Sequence, residues 1–517
     1  MKITSFIVTT FFISISLSVL ASRVTPNTLT FPASGSILTA PTSADIEIQQ
    51  LREAKDDSPS NVGLAGYAKL LCSAVFITGY SDTLAQEHSL RVASALMRLP
   101  DTDLKQVTET INHNERLVTA SLGNTLTRTA KYYGDQGCII HPDDHDGIYF
   151  TPHPVKTALP DRDLTPWPMG DVLPDAPLPP EVDEQKLNRA VELAFESPSR
   201  VSALVVVYKD RLIAERYAPG ITKDTLLENW SMGKSLTATL IGRLIQDEHL
   251  GLDDLAPVPE WQGVNDQRRN IRISDLLRMS SGLKFSLYDV LKTTPGGRSV
   301  VGDIYPDHYY VYSGATDVFR YVVSRPLEHK PGTLGRYRNT DPLTLGYIVK
   351  RTVEAQGQDY LSYPQSGLFD KIGIRDLVLE TDPYGNFVSS GYELGRARDW
   401  ARLGLLYLQN GTWLGEQLLP KEFVDFVRTP APAWENEEGQ PSVSRYGGMW
   451  WLNTTSNWNA PKDAYYAAGA GGQSTLVIPS RNIVIARLTD YDNSIPNISK
   501  AKTNAAVKAI LEAISDQ

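Results

Sequence analysis

A serine hydroxyl is a poor nucleophile at its free pKa and attacks only with a base beside it. Ser231-Met-Gly-Lys234 offers such a pair. If a helix starts at Ser231, the side chains at i and i+3 share one face, and Ser231 lies where the helix dipole favours negative charge. The spacing alone is common: it recurs at Ser281 to Lys284 and Ser499 to Lys502, and a serine so placed can simply cap its helix. Tyr337-Arg-Asn339, preceded by Lys330-Pro-Gly-Thr-Leu, adds a second group. A phenol has an ordinary pKa of about 10 and becomes a useful base only beside a cation, which Lys234 could supply. Tyr-x-Asn recurs at Tyr384 and Tyr491, but only the copy at Tyr337 lies between a candidate nucleophile and a glycine-rich strand. That strand begins Ala467-Ala-Gly-Ala-Gly-Gly-Gln473. Small residues let a substrate lie against the backbone, and the N–H groups of Ser231 and Ala470, beside Gly469, could form an oxyanion hole.

These residues need elements to hold them. Leu187, Ala190, Val191 and Ala194 have the spacing of an amphipathic helix. Residues 203–208 and 212–217 read as a β-hairpin around Lys209-Asp210. The helix expected from Ser231 has an apolar face of Leu240, Ile241, Leu244 and Ile245. Residues 474–479 and 482–488 read as two strands around Pro479-Ser480-Arg481, and 502–514 as a closing helix. Strands at both ends and a helical middle imply an α/β domain whose sheet is closed by its N- and C-terminal strands.

The rest of the chain divides around Leu159 to Pro180, where seven prolines stand. Proline at that density blocks helix and sheet ladders, so 159–180 reads as a linker. It separates an N-terminal segment, 23–158, from a domain over 181–517. In the segment, residues 65–77 suggest a helix running into a strand, and the Thr-rich alternation of 117–133 suggests strands. His141, His145, Asp143, Asp144 and Asp146 match no strong metal-ligand pattern and read as a polar turn. Residues 1–21 have a positive start, an apolar middle and small or branched residues before Ala21, the form of a secretory signal, with a retained anchor as the alternative. No later segment reads as long and apolar enough to cross a membrane. Export would place Cys72 and Cys138 in an oxidising compartment, where a disulfide is expected; two buried thiols are the alternative.

Bulk properties narrow the partners. The 517 residues are 41% hydrophobic and 21% charged, an ordinary globular composition with a net charge of −10. Without any Lys/Arg run, that charge argues against nucleic acid or anionic membrane as partner. No metal or nucleotide motif is adequate, so no cofactor is expected, and the Gly-x-Ser-x-Gly pentapeptide of α/β-hydrolases is absent.

Taken in order, the three chemical motifs resemble the signature set of serine β-lactamases and penicillin-binding proteins, and Tyr-x-Asn looks like the class C branch. Residues 271–283 and 391–420, including Arg398-Asp-Trp-Ala-Arg-Leu-Gly404, are similar to the β-lactamase-related hydrolases that include class C-type esterases and 6-aminohexanoate-dimer hydrolases. The resemblance covers about residues 180–515. It implies an antiparallel sheet flanked by helices, with a mostly helical subdomain and here an extra N-terminal segment. It implies Ser231 as acylated nucleophile, Lys234 and Tyr337 as the proton-transfer pair, Asn339 as a polar contact to substrate, and Tyr288 as a substrate-binding tyrosine. Which of Lys234 and Tyr337 takes the serine proton stays open. One departure matters: where β-lactamases carry Lys followed by Thr or Ser, this chain has Ala467 and Ala468. The expectation is therefore an exported hydrolase of esters or small linear amides. A β-lactamase or D-peptidase is the alternative within the same chemistry, and a non-catalytic binding or sensing module the alternative outside it.

Overall fold

Ser58 closes the N-terminus of the first described helix, α1 (Pro59–Ser73), by accepting the Asn61 N–H, and Pro59 takes the first position, where no amide is needed. The computed structural model describes residues 58–97, 99–197, 199–285, 307–434, 445–491 and 496–515. All belong to one compact unit, Leu38–Gln517. The signal-like residues 1–21 and Tyr288 lie outside the described residues.

Helix α1 does not turn into a strand. It continues as a π-helical turn, Ala74–Thr78, ending at Gly79 with a φ of +81°. The β-branched Val75, Ile77 and Thr78 suggest a strand, but packing keeps this stretch helical, and tertiary contacts override so weak a local preference. Together these residues make a helix, Pro59–Thr78, long and apolar enough to span a bilayer, with a mean hydropathy of 1.3. That corrects the expectation that no such segment follows residue 21. Its most apolar stretch is 83% buried inside the protein.

After α2 (Asp82–Ala95) the chain forms a four-stranded antiparallel meander, β1 (Val107–Asn112), β2 (Leu117–Leu122), β3 (Leu126–Tyr132) and β4 (Cys138–Ile140). Helix α1 packs on it, and a disulfide joins Cys72 to Cys138 across 66 residues. The polar stretch that follows holds itself together: His141 Nδ1 meets Asp146 at 2.9 Å, Tyr133 Oη meets His141 Nε2 at 2.9 Å, and Arg128 pairs with Asp143.

The proline-rich stretch contains Asp171, which is buried among Arg396, Arg398 and Arg402. Helix α3 (Glu184–Phe195) follows, with Leu187, Ala190, Val191 and Ala194 all buried. Next come β5 (Val201–Tyr208), β6 (Arg211–Tyr217), the short β7 (Leu227–Glu228) and α4 (Gly233–Gln246). The middle is mainly helical and includes α5 (Asp307–Ser313) and α6 (Thr340–Ala355). Strands β8 (Val378–Leu379) and β9 (Glu393–Gly395) then lead into α7 (Ala397–Leu408).

Strands β10 (Trp451–Leu452), β11 (Tyr465–Gly469), β12 (Gln473–Ile478) and β13 (Ile483–Thr489) complete a six-stranded antiparallel sheet in the order β10-β11-β12-β13-β5-β6. The two ends of the domain meet inside it, where Ile485 pairs with Val206. On one face α3 and the last helix, α8 (Pro496–Glu512), cover Val206 and Ile485. On the other, Val205, Val484 and Ala486 join a larger core with Trp400 and Leu236. Burial on both faces explains why β5 is a continuous apolar run instead of an alternating one. That larger core also contains Leu64, Leu71 and Val118 of the N-terminal segment.

Candidate active site

Strand β7 delivers the chain to Ser231 through a constrained turn. Trp230 has a φ of +52°, a conformation a bulky side chain adopts only when its surroundings impose it. They do so here: Trp230 is buried against the rings of Tyr312, Tyr392 and Tyr491. Ser231 lies in the 3-10 turn Trp230–Met232, and α4 follows from Gly233, so the α-helix starts two residues later than its motif implies. The serine still sits at the N-terminal end of a 14-residue helix.

Lys234 Nζ donates to Ser231 Oγ at 2.9 Å and to the Ser390 carbonyl at 2.7 Å. The lysine is only 1% exposed. Burial pushes its ammonium down to about 7, with the Glu393 carboxyl pulling the other way. An amine held there can take a proton near neutral pH. The face of the Tyr337 ring lies 5.0 Å from the same Nζ. Tyr337 is backed by Trp451 at 5.4 Å and Tyr446 at 6.2 Å between ring centres.

Ser231 and Tyr337 open onto a cavity of about 610 Å³. One wall is the β11 edge and the turn after it, including Ala468, Gly469 and Ala470. Glycine is required at 469, because a Cβ there would come within 2.1 Å of the Asn229 carbonyl oxygen. Trp451 and Trp458 make an apolar wall. Arg200, Arg445 and Arg487 bring guanidinium groups to the lining. Ala467 points away, fully buried in the core, while Ala468 lines the cavity.

Not every expected contact is in this group. Asn339 is fully buried behind the cavity wall, where its amide donates to the His308 carbonyl at 2.8 Å. Two residues passed over in the sequence stand beside the serine–lysine pair. Tyr312, on α5, donates to the Ser390 carbonyl at 3.0 Å, the same oxygen that Lys234 binds, and turns its hydroxyl toward Ser231. Glu393, on β9, is buried against Gly233. Tyr312 belongs to the aromatic run Tyr309-Tyr310-Val311-Tyr312, in which no spacing distinguishes a site residue from a core one.

The N-terminal segment braces this region twice. Lys69 of α1 forms a buried ion pair with Glu380. His88 of α2 bridges Asp490 at 2.8 Å and Glu228 at 3.2 Å, just before the turn that carries Ser231. Burial opposes charge on His88, but the two carboxylates outweigh it and raise the imidazole to about 9.

No curated protein matches the chain. Among solved structures it is similar to a proposed 6-aminohexanoate-dimer hydrolase from Bacillus anthracis, with 18% identity and a TM-score of 0.52 over 70% of this chain and 92% of that one. It is similar also to EstCE1, a hydrolase with promiscuous acyltransferase activity, at 16% identity and a TM-score of 0.48 over 63% and 99% of the two chains. A penicillin-binding protein homologue from Caulobacter crescentus matches at 15% identity and a TM-score of 0.46, over 66% and 99%. At 18% identity the first of these likenesses speaks for the fold alone. The β-lactamase family model matches residues 188–509, well over half the sequence and the whole stretch from α3 into α8 that builds the cavity. The chain belongs to the β-lactamase family of serine hydrolases.

Proposed function

We propose that the protein hydrolyses esters or small linear amides through an acyl-enzyme on Ser231. The observation that carries this reading is the 2.9 Å contact between Ser231, which lines a substrate-sized cavity, and a buried, readily neutralised Lys234. Neutral Lys234 takes the hydroxyl proton as Ser231 Oγ attacks the carbonyl carbon. The N–H groups of Ser231 and Ala470 receive the negative oxygen. Tyr337, beside the Lys234 charge, passes a proton to the leaving alcohol or amine. Water then cleaves the acyl-enzyme by the same relay in reverse, restoring Ser231. The signal-like N-terminus and the Cys72–Cys138 disulfide support export.

A neutral or weakly charged acyl group is favoured because Ala468, which lines the cavity on that edge, offers neither cation nor hydroxyl. A second reading has its own support: the guanidinium groups of Arg200, Arg445 and Arg487 in the lining suit a substrate with a carboxylate, as in a β-lactam or D-peptide. Intact-mass detection of a serine-directed phosphonate adduct tests the mechanism. The wild type should gain one adduct and Ser231→Ala none, with ester turnover lowered about 10³-fold or more. Undiminished turnover by folded Ser231→Ala would remove the central assignment. Short esters, linear amides and a chromogenic cephalosporin separate the two substrate readings. One charge-assisted hydrogen bond is worth roughly 1.5–3 kcal/mol, so the best neutral ester should exceed the cephalosporin in kcat/KM by roughly 10- to 100-fold. Equal or faster cephalosporin turnover would favour the arginine-bound carboxylate.

A further inference from the structure

Behind Lys234 lies a carboxyl group that the reaction above does not use. Glu393 sits on β9, which pairs with β7, and its carbonyl accepts the Asn229 N–H at 2.9 Å, two residues before the nucleophile. Its side chain fills the space over Gly233, inside the Ser-x-x-Lys motif, where a Cβ would come within 1.9 Å of Glu393 Oε1. Glu393 is 1% exposed, and among the described residues neither carboxyl oxygen has a hydrogen-bond partner. A buried acid is normally satisfied by such partners when its role is purely structural.

The groups facing Glu393 come from several elements: Lys234 from α4, Lys69 from α1, Glu380 from the loop after β8, and Tyr312 from α5. Lys69 Nζ rests 3.5 Å from the centre of the adjacent Tyr392 ring and pairs with Glu380. Glu380 is otherwise fully engaged, accepting the Ser73 hydroxyl and the Cys138 N–H, each at 2.8 Å. The Lys69 and Glu380 charges therefore offset each other only in part, Lys69 acting on Glu393 more strongly than Glu380 does. Glu393 and Lys234 remain, and they are neutral together in two ways: as carboxylate with ammonium, or as acid with amine. Facing Lys234 on its other sides are the Ser231 hydroxyl, the Ser390 carbonyl, the Tyr337 ring and the Tyr312 hydroxyl, none of them a carboxylate.

We propose that Glu393 is a positioning residue of the reaction, its charge governing how readily Lys234 gives up and regains the serine proton, and that Lys69 of the N-terminal segment holds Glu393 in that role. The inference rests on the reading of Ser231 and Lys234 as the catalytic pair. Burial raises the Glu393 carboxyl well above the usual carboxylate range, against the pull of Lys234 and Lys69, so its proton and that of Lys234 are linked. A carboxylate nearby favours the ammonium. Without it, Lys234 is neutral at lower pH.

The test is the pH dependence of kcat/KM for an ester, measured on the full-length protein, which reports groups in the free enzyme. In Glu393→Gln the acidic limb should move to lower pH by roughly one unit, so that one unit below the wild-type limb the variant retains roughly fivefold more of its own plateau. In Lys69→Met/Glu380→Gln, which removes the ion pair whole, the limb should move the same way by less. If Glu393→Gln does not fold, the double variant decides alone. A limb that stays at the wild-type pH, even with a uniformly lower rate, would overturn the proposal and leave Glu393 as packing. Full turnover by Ser231→Ala in parallel would instead overturn the catalytic pair, so the two failures are distinguishable.

Discussion

Two of the buried charge clusters among the described residues differ in how completely they are satisfied. Under the proline-rich stretch, Asp171 is met by Arg402 at 2.8 Å, Arg396 at 3.3 Å and Arg398 at 3.4 Å, while Asp399 receives both Arg396 and Arg402. Burial alone would favour the neutral acid, but the guanidinium groups outweigh it and hold Asp171 at about 2. The Asp171 charge is fixed at any ordinary pH. Behind Ser231 the balance is reversed. Lys234 has two neutral oxygens as partners, and Glu393 has none among the described residues. Burial there wins over pairing and brings the lysine to about 7. A saturated cluster fastens one segment to another; an unsaturated one can move a proton.

The strongest way to break this comparison is to exchange the consequences of mutation. Tyr337→Phe should lower kcat for an ester roughly 10²- to 10⁴-fold, with the melting temperature unchanged, and Tyr312→Phe should lower it less than about tenfold because Tyr337 faces the cavity. Equal losses in the two variants would make Tyr312 a partner in proton transfer. Asp171→Asn should do the opposite. It leaves arginines buried without their carboxylate, which costs about 3 kcal/mol or more in stability, while kcat of the folded protein stays within about twofold. A large loss of kcat in that variant, with stability intact, would mean the arginine cluster shapes the site directly.

A smaller effect sharpens the same contrast through pH. The folded-state pKa of Asp171 is depressed, so its contribution is fully present above the unfolded value of about 4 and is lost as pH falls through about 2. Denaturant unfolding of wild type and Asp171→Asn should give a constant difference from pH 5 to 7 that narrows below about pH 4. A difference that narrows between pH 5 and 7 would show that Asp171 titrates like the groups behind the serine.

Much of the domain was legible because its signals are local. The α3 face, the β5–β6 hairpin and the strands around Pro479 follow from apolar spacing and turn residues, and the structure has them with boundaries a few residues different. The π-helical end of α1 was not legible, since Val75, Ile77 and Thr78 favour a strand until packing decides. Nor was Asn339's burial behind the wall, because a motif fixes a residue's neighbours in sequence and not the depth at which its side chain ends.

The sequence by itself determined the family, the Ser231–Lys234 pair and the glycine-rich edge. Each is a short-range pattern whose geometry follows from one helix turn or one strand. Only the tertiary structure decided what surrounds that pair: Tyr312 from α5, Glu393 from β9, and Lys69 from a helix more than 160 residues upstream of the serine. Lys69, Glu380 and Glu393 look like ordinary surface charges in the sequence. Burial is a property of the whole packed chain, and it is burial that turns them into groups acting on one another and on Lys234.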